Sequence, residues 1–168
     1  MNPLHHRAAR DGKTRAAGCM TVEQGKEDQV PAILRKAQDA KWEKVGSFFD
    51  IADEALPGVK ALKDVQVSML FDQSQCTHFG SVFEKWPPVT FSWHYECDQI
   101  FYIVSGGPLC VTCNGEVLEG AAGDVFLFTR GTDVTFESKS ELVGLTIHYP
   151  AFEEILKRYR EYAETRHE

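Results

Sequence analysis

The rhythm of apolar and polar residues changes twice along this chain. From Pro31, the stretch PAILRKAQDAKWEKV places Ile33, Leu34, Ala37, Lys41 and Val45 near helical spacing, with proline where a first turn tolerates it. This predicts a helical lead-in over 31–64, interrupted by a loop at Leu56 to Gly58. From Val65 the texture becomes short runs rich in Val, Phe, Ile, Tyr and Thr. Turn signals separate them, at Trp86 to Pro88, Gly106 to Pro108, Asn114-Gly115, Ala122 to Asp124 and Arg130-Gly131. Turns this regular between β-prone runs predict an all-β sandwich or barrel. Asn114-Gly115, between LCVTC and EVLEG, is a two-residue hairpin signal, because a primed turn needs positive φ at both positions. The run Val125 to Phe128 is apolar on both faces, so cover on both sides is expected, from a second sheet or a second subunit. The rhythm changes again at the end: FEEILKRYREYAETRH puts Phe152, Ile155, Leu156, Tyr159 and Tyr162 on one helical face, with Glu153 and Glu154 in the first turn to complement the helix dipole.

Length and composition narrow the class. The chain has 168 residues, 43% apolar and 26% charged, which suits one domain with a real core. No apolar run approaches the roughly 18–20 residues needed to span a membrane. The formal charge is −7, and between Val65 and Pro150 three basic residues (Lys85, Arg130, Lys139) face ten acidic ones. Such a surface repels phosphates, so nucleic acid and anionic membranes are excluded as partners and a small molecule or protein is favoured. Five cysteines (Cys19, Cys76, Cys97, Cys110, Cys113) without a secretory segment read as reduced thiols of a cytoplasmic protein. Cys110 and Cys113 have CxxC spacing, but within a strand that separation sends their side chains to opposite faces, against a redox or zinc role. The basic stretch within residues 1–30 reads as a disordered or flexible tail, with a weak organellar presequence as the alternative.

The glycines and strand lengths from Phe91 to Gly131 resemble a cupin. The first cupin motif, G-x5-H-x-H-x4-E-x6-G, laid from Gly106, puts Ser92 and His94 at its histidines and Gln99 at its glutamate. The second, G-x5-P-x-G-x2-H-x3-N, laid from Gly123, puts Thr129 at its proline, Gly131 at its glycine and Val134 at its histidine. Within the cupins the chain is most similar to the ethanolamine-utilisation protein Q-type family. Phe91, Trp93, Asp98, Ile100 and Gly106 carry that likeness, as do Gly123, Asp124, Val125, Phe128, Arg130 and Gly131, then Tyr149, Pro150 and Ala151. The resemblance implies a single cupin-type double-stranded β-helix barrel (jelly roll) over 65–168, closed by the C-terminal amphipathic helix. It also brings in acetate kinase-type activity, although the family glutamate is Gln99 here.

On this barrel, alternation places Ser92 and His94 on the inward face and Trp93 outside. Three of the four metal-ligand positions of a cupin are lost, at Ser92, Gln99 and Val134, so no metal cofactor is expected. Replacement ligands would have to come singly from His148, His78, Glu96 or Cys110. The reading is a metal-independent, non-redox enzyme of isomerase, cyclase, lyase or hydrolase type with an aromatic-lined pocket. His94 is the acid/base and Gln99 orients the substrate. Ser92, Asp98, Tyr102, Arg130 and His148 are candidate substrate contacts, Asp98 alternatively a turn and Arg130 alternatively a structural pair with Asp124 or Asp133. A non-catalytic binding module, a metal cupin with non-standard ligands and the acetate kinase-like activity remain alternatives. A homodimer is expected, to cover the apolar strand and open sheet edges.

Overall fold

Within residues 32–45 and 58–165, those that the computed structural model describes, the β-prone runs and the terminal periodic segment build ten strands and two helices. From Ile33 these residues belong to one compact unit. The tail, Cys19 and the loop residues Leu56 and Pro57 lie outside the described residues. The strands are β1 (Glu43–Lys44), β2 (Gln66–Phe71), β3 (Gly80–Trp86), β4 (Val89–His94), β5 (Asp98–Gly106), β6 (Leu109–Cys113), β7 (Glu116–Gly120), β8 (Val125–Phe128), β9 (Asp133–Ser138) and β10 (Leu142–Tyr149). Helix α1 spans Val59–Leu62 and α2 spans Phe152–Thr165. The strands form two antiparallel sheets, ordered β1-β2-β3-β10-β5-β8 and β4-β9-β6-β7. This is the two-sheet jelly roll expected from the turn spacing.

The Asn-Gly turn forms as its sequence demands, with Asn114 at φ 50° and Gly115 at φ 81° joining β6 to β7. Cys113 packs against the core while Cys110 meets Glu119 on the other side of the strand, so the CxxC pair does diverge. Between the sheets Trp86 sits 5.3 Å, centroid to centroid, from each of Phe91, Phe101 and Phe136. Burying each such ring contributes roughly 1.5–3 kcal/mol. Gly144 makes room for Phe101, because a Cβ there would collide with the phenyl ring.

Two expectations are corrected. Over residues 32–45 the helical spacing yields only a 3-10 turn at Ala37–Asp39 followed by strand β1, with Ile33 and Leu34 exposed. Helical periodicity stabilises a helix only when its apolar face is buried, and here β1 instead pairs with the edge of β2. Val45, Val59 and Leu62 already belong to the core, so the barrel begins before Val65. Among the described residues, strand β8 is covered on one side. It is the edge of the larger sheet, with Phe128 buried but Val125 and Leu127 60% and 67% exposed. Helix α2 packs as its pattern required, burying Ile155, Tyr159 and Ala163.

Candidate functional site

The barrel holds a mainly apolar, partly open pocket of about 110 Å³, somewhat smaller than the roughly 150 Å³ apolar cavity that takes up benzene. Strands of both sheets build its wall, with Val67 and Met69 from β2 and Phe136 from β9 among the lining. From β3 come Val82, Glu84 and Trp86, from β10 Thr146 and His148, and from β4 and the following turn Phe91, Trp93, Tyr95 and Cys97. Gln99, the second residue of β5, Phe152, Ile155 and Tyr159 of α2, and Val45, Leu62 and Val65 also line it.

His148 is the chemically informative residue. It is 5% exposed, and register places it between Gly80 on β3 and Gln99 on β5. A Cβ at Gly80 would come within 2.5 Å of the imidazole, so the glycine creates the space the ring occupies. Nδ1 lies 3.0 Å from the carbonyl oxygen of Pro150. A carbonyl only accepts, so in the neutral ring Nδ1 carries the proton and Nε2 is a bare acceptor. That Nε2 is, among the described residues, a buried polar side-chain atom with no hydrogen-bond partner. Burial pushes the imidazole below its usual pKa, outweighing the opposing bond to Pro150, and so keeps the lone pair available at neutral pH.

Glu84 is the second polar feature. Its Oε2 accepts from Trp86 Nε1 at 2.7 Å and its Oε1 from Thr146 Oγ1 at 2.6 Å. Burial raises the carboxyl above the usual carboxylate range, opposed by those two donors. The other titratable groups of the wall stay neutral: burial pushes the Cys97 thiol up to about 12 and both Tyr95 and Tyr159 well above the usual phenol value. Cys97 is therefore a poor nucleophile. Tyr159 locks α2 over this end of the barrel: its hydroxyl accepts from Trp93 Nε1 at 2.8 Å and donates to the His94 carbonyl at 3.0 Å.

The predicted site residues separate. Gln99 and His148 line the cavity. Ser92 and His94 do not, and the inward residues of β4 are Phe91 and Trp93, continued by Tyr95. The expectation of Ser92 and His94 inward with Trp93 outside is thus reversed, because a one-residue offset moves every side chain of a strand to the other face. Ser92 pairs with Thr135 across the sheet, Oγ to Oγ1 at 3.0 Å. His94 lies between two acids, Nδ1 2.8 Å from Asp133 and Nε2 3.2 Å from Glu96, and stacks on Tyr162 of α2 with centroids 4.1 Å apart. Arg130 reaches Glu96 Oε2 with Nε at 3.0 Å, rather than Asp124 or Asp133, and its backbone N–H donates to Asp98 at 2.8 Å. Tyr102 is exposed on the outer face of the larger sheet.

Glu84 and Tyr159 were missed. The signal for Glu84 was an acid in phase with Gly80, Val82 and Trp86, which in a strand marks a carboxylate on the apolar face. The residues do not fit a cupin metal. Trp93, Tyr95, Gln99 and Val134 face inward from the motif strands and turns, and no group of three His, Cys, Asp or Glu converges among the described residues.

Residues 47–153 match the ethanolamine utilisation protein EutQ family. Among solved structures, the EutQ protein of Clostridium difficile is similar at 19% identity, over 67% of this chain and 88% of that one, with a TM-score of 0.52. KdgF from a Halomonas species is similar at 16% identity, 73% and 97% coverage and a TM-score of 0.54. An RmlC-like cupin from Shewanella frigidimarina is similar at 17% identity, 75% and 97% coverage and a TM-score of 0.53. Each of these supports the barrel fold. No curated protein matches the chain.

Proposed function

Because this chain belongs to the ethanolamine utilisation protein EutQ family of cupins, we propose that its barrel cavity is a small-molecule site in which His148 moves a proton. The chemistry is that of a non-redox enzyme such as an isomerase, cyclase, lyase or hydrolase. The observation that carries the reading is the buried Nε2 of His148, unpartnered among the described residues, in a ring that helps to line a largely apolar pocket. Such a nitrogen accepts a proton from a bound C–H or O–H and returns it, the role sequence reasoning gave to His94. Gln99, its neighbour in register, is placed to hold a substrate oxygen, and its amide N–H groups stabilise charge developing there. Trp93, Tyr159 and α2 keep bulk water from the transfer.

His94 serves the site indirectly. With a carboxylate at each ring nitrogen and Tyr162 against its face, it fastens α2 and the turn after β4 to the barrel. No step is routed through a metal, since the wall does not supply a ligand set.

Deuterium exchange tests the assignment and needs no identified product. Small alcohols, amines and carbonyl compounds are first selected by their effect on the His148 ring signals. Each is then incubated in D₂O with the protein. Wild type should wash deuterium into the bound compound, His148→Gln should bind it without exchange, and His94→Gln should exchange like wild type. Binding without exchange in wild type would leave the non-catalytic binding module as the correct reading.

A further inference from the structure

The chemistry of the pocket wall limits the charge of what it can hold. This step rests on the reading of the pocket as a small-molecule site. Its lining is drawn mainly from apolar and aromatic side chains and, among the described residues, contains no lysine, arginine or aspartate. Arg158, whose charge reaches Cys97, lies outside the lining and is bonded to Glu154 and to the Glu96 carbonyl. Arg130 is likewise outside it and is paired with Glu96. An anion entering the pocket would therefore give up its hydration without meeting a countercharge, which is costly in an apolar space.

A cation fares little better. Among the described residues Glu84 is the one acid of the lining, and its carboxyl is already engaged within the wall. Trp86 Nε1 lies 2.7 Å from Oε2 and Thr146 Oγ1 lies 2.6 Å from Oε1. An indole N–H only donates, whereas a hydroxyl either donates to Oε1 or accepts a proton from it. The carboxyl is thus satisfied in its neutral form as well as its ionised one, and burial favours the neutral form. Burial acts in the same sense on His148, Cys97, Tyr95 and Tyr159. A cation would leave water for a wall biased throughout towards its uncharged forms, and the desolvation of a buried ion exceeds what an incomplete partner returns.

We infer that this pocket selects an uncharged, compact molecule, an apolar carbon body bearing an oxygen, and discriminates against ammonium and carboxylate compounds of the same size. The apolar wall takes the carbon body, and the Gln99 amide, polar but without charge, offers a donor to the oxygen. Size follows from volume. A cavity of roughly 150 Å³ takes up benzene, so by proportion 110 Å³ accommodates about four or five non-hydrogen atoms.

Butanone, sec-butylammonium and propionate are matched in their number of non-hydrogen atoms and differ in charge. Each is titrated into the full-chain protein near pH 7, with the ring signals of Trp93 and Tyr95 reporting the pocket. Butanone should bind at least about tenfold more tightly than either ion. Val82→Phe, which fills the pocket from β3, should abolish the butanone shifts. Less than a tenfold margin over either ion would overturn the ligand class while leaving the pocket a small-molecule site. No shift from any probe would overturn both readings. Butanone shifts unchanged in Val82→Phe would place the binding elsewhere and overturn the inference as well. The wild-type ranking decides even where the variant fails to fold.

Discussion

Gly80→Ala isolates the space that holds His148. Gly80 has a φ that suits any L residue, so the added methyl strains no backbone. It would lie 2.5 Å from His148 Cε1 and 3.0 Å from Nε2, the first contact being 0.9 Å short of the 3.4 Å at which ordinary packing begins. Relief by a ring shift of that size lengthens the 3.0 Å bond from Nδ1 to the Pro150 carbonyl beyond hydrogen-bond reach. Overpacking costs about 1–3 kcal/mol, and the lost bond costs about 1 kcal/mol. Restricting the unfolded chain returns about 0.4–1 kcal/mol, for a net loss of roughly 1–3 kcal/mol. Equilibrium urea unfolding at constant m measures it. The same substitution on a His148→Ala background meets no ring and should cost nothing, giving a coupling of about 2 kcal/mol in a double-mutant cycle. An equal cost in both backgrounds, or a loss below about 0.5 kcal/mol with His148 present, would refute the account of how the imidazole is seated.

The pH dependence of stability should carry two opposed contributions. The folded pKa of His148 is lowered by burial, so below about pH 6.5 the unfolded chain takes up a proton that the folded protein resists. Stability therefore falls as pH drops through that range, and His148→Gln should lessen the fall. Glu84 is raised by burial, so its favourable contribution is complete below the unfolded value of about 4.3 and is lost as pH rises through the folded value. Glu84→Gln should flatten that loss, and unfolding curves between pH 4 and pH 8 check both signs. Tyr159→Phe removes the hydroxyl shared by Trp93 Nε1 and the His94 carbonyl and should cost about 1–3 kcal/mol; unchanged urea stability would show that α2 is held by apolar packing alone. A homodimer is expected to cover the outer face of the larger sheet, where Val125, Leu127, Ile100, Tyr102 and Ile147 are exposed. Light scattering should give about twice the 18.9 kDa chain mass, and Leu127→Lys should shift it to the monomer.

Local chemistry was enough for the elements whose conformation is dictated by neighbours in sequence. Asn114-Gly115 fixed the β6–β7 hairpin, because positive φ is a property of those two residues. The Phe152 to Tyr162 stripe fixed α2, because its partner surface lay along its own face. The alternation from Val65 onward fixed the barrel class and the divergence of Cys110 from Cys113. Which face of each strand looks inward was a different matter, since a period of two has two phases and β4 carries aromatics on one and polar groups on the other. Burial decided it: enclosing Phe91, Trp93 and Tyr95 removes far more apolar surface from water than enclosing Ser92 and His94, so the histidine with the suggestive motif position ended among acids outside the cavity. The site itself draws Glu84, Gln99 and His148 from three strands that become neighbours only when β10 inserts between β3 and β5. No spacing along the chain encodes that proximity; the sheet order creates it.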